Sequence, residues 1–125
     1  MSSRALLFAQ LAVVAVLATL HLYALAHFSY WIFPWLDMIS HFLGGLWAGL
    51  FSFWLFVKIG KEPNIIYCAG VVFALGIAWE LFEALNGVTN ISSEMLDTLG
   101  DISMDIAGGI SGVYLARLIS KQLAR

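Results

Sequence analysis

The chain has 125 residues, 62% of them hydrophobic and only 11% charged, with a net charge of −2 and a mean hydropathy of +0.91. Soluble domains carry about 25% charged residues, so a water-soluble globular domain is excluded. No basic patch or aromatic–basic platform is present, which excludes nucleic acid as a partner, and the one cysteine, Cys68, cannot close an internal disulfide.

Apolar runs of about 20 residues, the length that crosses a bilayer, recur four times. They predict an all-α, polytopic membrane protein, one domain over residues 1–125, with four transmembrane helices at about 5–27, 37–57, 65–85 and 94–119. The first helix follows Arg4. Ala24-Leu25-Ala26 resembles a signal cleavage site, but the apolar stretch before it is longer than a signal core. The aromatic, proline-bearing segment Phe28 to Trp35 is of the kind that sits at the headgroup level. Helix two ends in the turn Lys58 to Asn64, broken by Pro63. The loop from Asn86 leads to Ser93, which is placed to cap helix four, with Glu94 in its first turn.

Charge distribution predicts the orientation. The six basic residues are Arg4, Lys58, Lys61, Arg117, Lys121 and Arg125. Four crossings put all of them on one side, which the positive-inside rule makes cytoplasmic, so both termini lie inside a prokaryotic cytoplasmic (inner) membrane. The acids separate the other way: Asp37, Glu80, Glu83, Glu94, Asp97, Asp101 and Asp105 fall toward the outer side, and only Glu62 inside.

Helices two and four resemble each other. Asp37-x3-His41-x2-Gly44-Gly45 aligns with Asp101-x3-Asp105-x2-Gly108-Gly109, and Ala48 aligns with Gly112. Both helices run from outside to inside, so the chain reads as two hairpin repeats about an axis normal to the membrane. On helix two, Asp37, His41, Gly45, Ala48 and Ser52 share a face; on helix four, Asp97, Asp101, Asp105, Gly108 and Gly112 do. Small residues let backbones approach closely, so the simplest packing sets these faces together with His41 near Asp105. The same glycine faces could serve a homo-oligomer.

Helix three adds Glu80 and Glu83, three residues apart and hence on one side. At 1.5 Å per residue, His41 and Asp101 lie about 6 Å below the outer helix ends, and Glu80 and Asp105 about 9–15 Å below. Carboxylates at such depth need neutralising partners. Three roles fit the cluster. One is a divalent metal site with ligands His41, Glu80, Glu83, Asp101 and Asp105, a donor set suited to Mg²⁺, Mn²⁺ or Zn²⁺. Another is a proton or cation path through carboxylates that share protons. The third is a structural hydrogen-bond network across helices. Asp37 and Asp97, at the membrane boundary, read as helix caps or as groups behind the ligands that hold them in place. His21 and His27 are six residues apart on helix one, so at most one faces the cluster.

Asp37-x3-His41-Phe42, Glu80 late in the next helix, and Asp101-x3-Asp105-x2-Gly108-Gly109 together resemble the pattern of VanZ-like small membrane proteins and the related YjdF-like group. The resemblance covers Asp37 to Gly112. VanZ-like proteins usually carry an arginine shortly before the late aspartate, where this chain has Glu94 and Asp97. The resemblance implies a role in the cell envelope; the ligand-like cluster toward the outer leaflet adds the expectation of membrane lipids or a lipid-linked precursor as partners. Combined with the cluster, it yields the expectation of an outward-facing acidic pocket that holds a divalent metal and binds or processes an envelope lipid. In an enzymatic version the metal polarises a phosphoryl oxygen or activates water, with Glu80 or Glu83 as general base. The contrasting expectation is a proton- or cation-coupled transporter, or an accessory protein whose polar network only assembles helices.

Overall fold

The computed structural model describes residues 3–86 and 94–123. Five helices follow in order: α1 (Ser3–Ala26), α2 (Ser29–Ile32), α3 (Trp35–Lys58), α4 (Ile65–Leu85) and α5 (Met95–Leu123), with no strand among the described residues. Four of them, all but α2, are long and apolar enough to cross a membrane. Much of their outer surface is large and hydrophobic: Phe8 is 70% exposed, Ile66 73% and Leu96 86%, side chains suited to acyl chains rather than water.

Local chemistry sets the boundaries. Helix α3 starts at Trp35, two residues before the expected Asp37, because Pro34 stands at its entrance with φ −56, already helical. At the other end Gly60 adopts φ 73. The Lys61 N–H then donates to the Phe56 carbonyl (2.8 Å) and the Gly60 N–H to the Val57 carbonyl (3.1 Å), a Schellman closure. The Asn64 side chain accepts from the Ile66 N–H at 2.8 Å and caps α4. Helix α5 begins one residue later than expected, its first bond running from the Thr98 N–H to the Glu94 carbonyl. It then continues four residues past the expected Ile119, since Ser120 to Leu123 contains no breaker. The proposed cap Ser93 lies outside the described residues.

Helices α3 and α5 form the centre of the bundle. A Cβ on Gly45 would collide with the Asp105 backbone, and one on Gly49 with the Gly109 backbone. From the opposite side, Gly108 meets the Phe42 carbonyl and Gly112 the Leu46 carbonyl. Both sets of contacts climb together, so α3 and α5 run parallel and in near-equal register. Helix α4 packs on both, with Val72 2.6 Å from where a Cβ of Gly109 would sit. Helix α1 rests chiefly on α3.

All four long helices converge at one end around Leu6, Leu50, Phe53, Cys68, Val113 and Ala116. The described lysines and arginines belong to this end. At the other end α1 and α4 do not approach each other, and a cleft of about 620 Å³ lies between them over α3.

A hydrogen-bonded clasp ties the chain across this open end. Phe28, in the left-handed region at φ 53, turns α1 into α2 and delivers Tyr30. The Tyr30 hydroxyl lies 2.8 Å from His21 Nδ1 and 3.0 Å from Ser40 Oγ. Ser40 donates its one hydrogen to the Leu36 carbonyl, so it accepts from Tyr30, and Tyr30 accepts in turn from His21 Nδ1–H. The Phe28 to Trp35 segment, expected as an interfacial anchor, is thus also part of the cleft wall.

Two predictions follow from this packing. Gly108→Leu sets a side chain against a backbone carbonyl that cannot rotate away, so its cost reaches or exceeds the upper end of the ~1–3 kcal/mol typical of overpacking. Gly44→Ala, whose Cβ meets nothing within 4 Å, leaves the melting temperature unchanged or slightly raised; thermal melts in detergent read both. Burial, reinforced by the charges of Asp37 and Glu83, raises the Tyr30 pKa above its ordinary 10.0. The neutral-phenol clasp therefore holds below pH 10 and is lost as pH rises through the raised value. A tyrosinate absorbance titration should show a late component that Tyr30→Phe removes.

Candidate functional site

The polar groups gather where the cleft is deepest. The first turns of α3 present Asp37 and His41, four residues apart on one face. Helix α5 presents Asp101 and Asp105 at the same spacing, and α4 contributes Glu80 and Glu83 from its last two turns. His41, Glu80, Asp101 and Asp105 are buried, at 7%, 2%, 5% and 7% exposure. The parallel register of α3 and α5 brings His41 Nδ1 to 3.2 Å from Asp105 Oδ1, and these two positions correspond when Asp37-x3-His41-x2-Gly44-Gly45 is aligned with Asp101-x3-Asp105-x2-Gly108-Gly109. Room for the Asp105 carboxylate comes from Gly76: a Cβ there would stand 2.7 Å from Asp105 Oδ2.

His41 is the hub. Its Nε2 lies 3.7 Å from Asp101 Oδ2 and 3.9 Å from Asp37 Oδ1. With Asp105 accepting from Nδ1–H, the lone pair falls on Nε2, the arrangement in which a carboxylate orients a metal-binding imidazole. Two ligands about 2.1 Å from a tetrahedral ion stand ~3.4 Å apart; the His41–Asp101 and His41–Asp37 separations exceed this by a few tenths of an ångström, and all three ligand atoms lie within 4.8 Å of one another. Ligand atoms of His41, Glu80 and Glu83 likewise fall within 4.8 Å of one another.

Charge balance is the anomaly of the site. Five carboxyl groups, from Asp37, Glu80, Glu83, Asp101 and Asp105, face one imidazole, while the described lysines and arginines lie at the other end. An acidic side chain at the centre of a membrane helix costs about 3 kcal/mol on the insertion scale. Among the described residues, neither Glu80 oxygen has a hydrogen-bond partner, nor has Asp105 Oδ2. The Thr98 side chain approaches Glu80 from α5 without reaching hydrogen-bond geometry.

The expected residues divide in an instructive way. His41 belongs to two separate groups within reach of an ion, one with Asp37 and Asp101 and one with Glu80 and Glu83. Asp105, expected among the ligands, lies against the His41 ring at Nδ1. Asp37, expected as a cap or behind the ligands, does not cap α3, whose N-cap is Pro34, and aims a carboxylate oxygen at Nε2. Asp97 is exposed in the first turn of α5, outside both groups. His21 lines the cleft, whereas His27 is exposed and bonded to the Tyr23 carbonyl at 3.0 Å. Sequence reasoning missed Tyr30 and Ser40; the signal available was Ser40 three residues after Asp37, one helical turn along the same face.

Chemically, the arrangement can hold a hard or borderline divalent cation on oxygen and imidazole donors, or it can share protons among its carboxyls. No curated protein and no solved structure matches the chain. The family described as "Predicted membrane protein (DUF2238)" matches residues 5–122, and the chain belongs to that family of membrane proteins.

Proposed function

We propose that this is a cell-envelope membrane protein that holds a divalent cation, Mg²⁺, Mn²⁺ or Zn²⁺, between His41 and the surrounding carboxylates, and uses it to bind or process a lipid or lipid-linked precursor. The observation that carries the reading is Glu80: a carboxylate 2% exposed, with both oxygens unpartnered, within 4.8 Å of a His41 nitrogen and a Glu83 oxygen. A buried anion in that state lacks a positive partner, and the described basic residues are too far away to be one. A cation on Nε2 supplies it, drawing on Asp37 and Asp101 or on Glu80 and Glu83.

The surroundings support the same reading. The basic end of the bundle is closed by apolar side chains, and the acidic end opens to the cleft. Under the positive-inside rule this supports both termini lying in the cytoplasm and the site lying toward the outer face of a cytoplasmic membrane. The parallel α3–α5 pair, with His41 and Asp105 meeting from corresponding positions, supports two hairpin repeats, and the spacing of these residues supports kinship with VanZ-like and YjdF-like proteins. In the enzymatic form, the cation polarises a phosphoryl oxygen, and Glu83, which lines the cleft, accepts a proton from the attacking water. The apolar closure argues against a conduction path, since neither carboxylate nor imidazole continues the polar route through it.

Metal content of the purified full chain, measured by elemental mass spectrometry, tests the proposal. Near-stoichiometric metal is expected in the wild type and is lost in His41→Ala and Glu80→Gln, while Asp105→Asn weakens affinity by about 10–100-fold by releasing the ring. Metal absent from every sample after exposure to Mg²⁺, Mn²⁺ and Zn²⁺ would refute it. Release of phosphate from a lipid pyrophosphate, lost in Glu83→Gln with metal retained, would establish the enzymatic form.

A further inference from the structure

The cleft has a shape and a polarity gradient that the cation alone does not use. Its walls are Val14 and Leu17 of α1 on one side, and Val72 and Leu75 of α4 on the other. Its floor is α3, where Gly44 and Ala48 leave it open. These apolar residues lie toward the closed end of the bundle. Asp37, His41 and Glu83 line the opposite end, so the ion's open coordination positions face the same space. Helices α1 and α4 share no close backbone contact, and the cleft lies between them. Its volume of about 620 Å³ lies within the ~300–1,000 Å³ of small-molecule sites.

Gly44 shows that the space is a feature of the α3 surface rather than a by-product of helix packing. Its neighbours on α3, Gly45 and Gly49, are small because backbone of α5 presses on them, whereas a Cβ on Gly44 would meet nothing within 4 Å. Close packing therefore does not require glycine at this position, which lies on the cleft floor beside His41 and Gly45.

We infer that the cleft seats one hydrocarbon chain of a phosphate-headed lipid that enters sideways from the bilayer between α1 and α4, with a phosphate oxygen completing the coordination of the cation. The inference rests on the cation site proposed above. Charge complementarity selects the headgroup. The polar end carries the Asp37 and Glu83 carboxyls and no lysine or arginine, so a phosphate is repelled until the cation is in place. Divalent ions that keep positions open beside one or two carboxylates are habitual phosphate ligands. The apolar walls select the chain, because a water-soluble phosphate gains nothing from them.

Native mass spectrometry of the full chain in detergent tests this, with dioleoylphosphatidic acid and dioleoylglycerol as probes and metal content measured on the same samples. Wild type with Mg²⁺ is expected to retain one phosphatidic acid per chain, at least tenfold more than diacylglycerol, and to lose it to a chelator. Gly44→Phe fills the cleft from the floor and Ala78→Phe from the α4 wall; both are expected to keep their metal and lose phosphatidic acid about tenfold. Stoichiometric metal with no preference for phosphatidic acid, or retention of the lipid in both filled variants, overturns the inference and leaves the cation site standing. Absence of metal overturns both. Phosphatidic acid bound equally with chelator overturns the coordination of its phosphate by the cation.

Discussion

Negative charge buried without a counter-charge is the constraint on which the rest of this structure turns. The acidic half of the bundle holds Glu80, Asp101 and Asp105 at 2%, 5% and 7% exposure around His41, in a chain whose described lysines and arginines lie at the opposite end. In a low-dielectric environment an isolated carboxylate is expensive, and a cluster of them repels itself. Partial neutralisation by His41 explains the geometry around its two ring nitrogens, which reach Asp105 on one side and Asp37 and Asp101 on the other. It does not account for Glu80, which has no partner among these contacts.

Helix packing and site chemistry depend on one another here. Glycines at 45, 49, 108 and 112 let α3 and α5 come close enough for backbone to touch backbone. That approach, in parallel register, sets His41 beside Asp105. Gly76 then opens α4 to the Asp105 carboxylate, and Gly109 receives Val72, which keeps α4 and its glutamates seated over the pair. The apolar convergence of the helices at the far end fixes this arrangement, while the separation of α1 from α4 leaves the site accessible along the cleft. The Tyr30 clasp links α1, α2 and α3 at the rim, so the cleft has a hydrogen-bonded edge.

Much of this was legible in the residues themselves. Helix α4 begins and ends where spacing predicts because Pro63 and Asn64 stop what precedes it and Asn86 follows its last turn. The acidic and basic ends separate because an even number of crossings leaves no other arrangement. The pairing of His41 with Asp105 follows from two helices carrying the same pattern in the same direction. Other features depend on tertiary distances that spacing cannot supply. Asp101 and Asp105 look equivalent as carboxylates one turn apart on one face of α5, yet one faces His41 Nε2 and the other Nδ1. Tyr30 sits in a segment whose aromatic composition fits an interfacial anchor, and only the left-handed turn at Phe28 sends it back over Ser40. The cleft itself arises from a contact that α1 and α4 do not make, which no local pattern encodes.

The most direct test of the central claim is the thermal stability of the wild type against Glu80→Gln, with chelator and then with saturating cation. Removing an uncompensated buried charge stabilises a protein, and removing a metal ligand forfeits the binding energy that a ligand present at 100 times its Kd supplies, about 2.7 kcal/mol. A metal-neutralised cluster therefore predicts a crossover: Glu80→Gln melts higher than wild type in chelator and lower in cation. Melting temperatures of both proteins that ignore cation and chelator, while the wild type gains stability on acidification, would show that protons neutralise the cluster and would contradict the account.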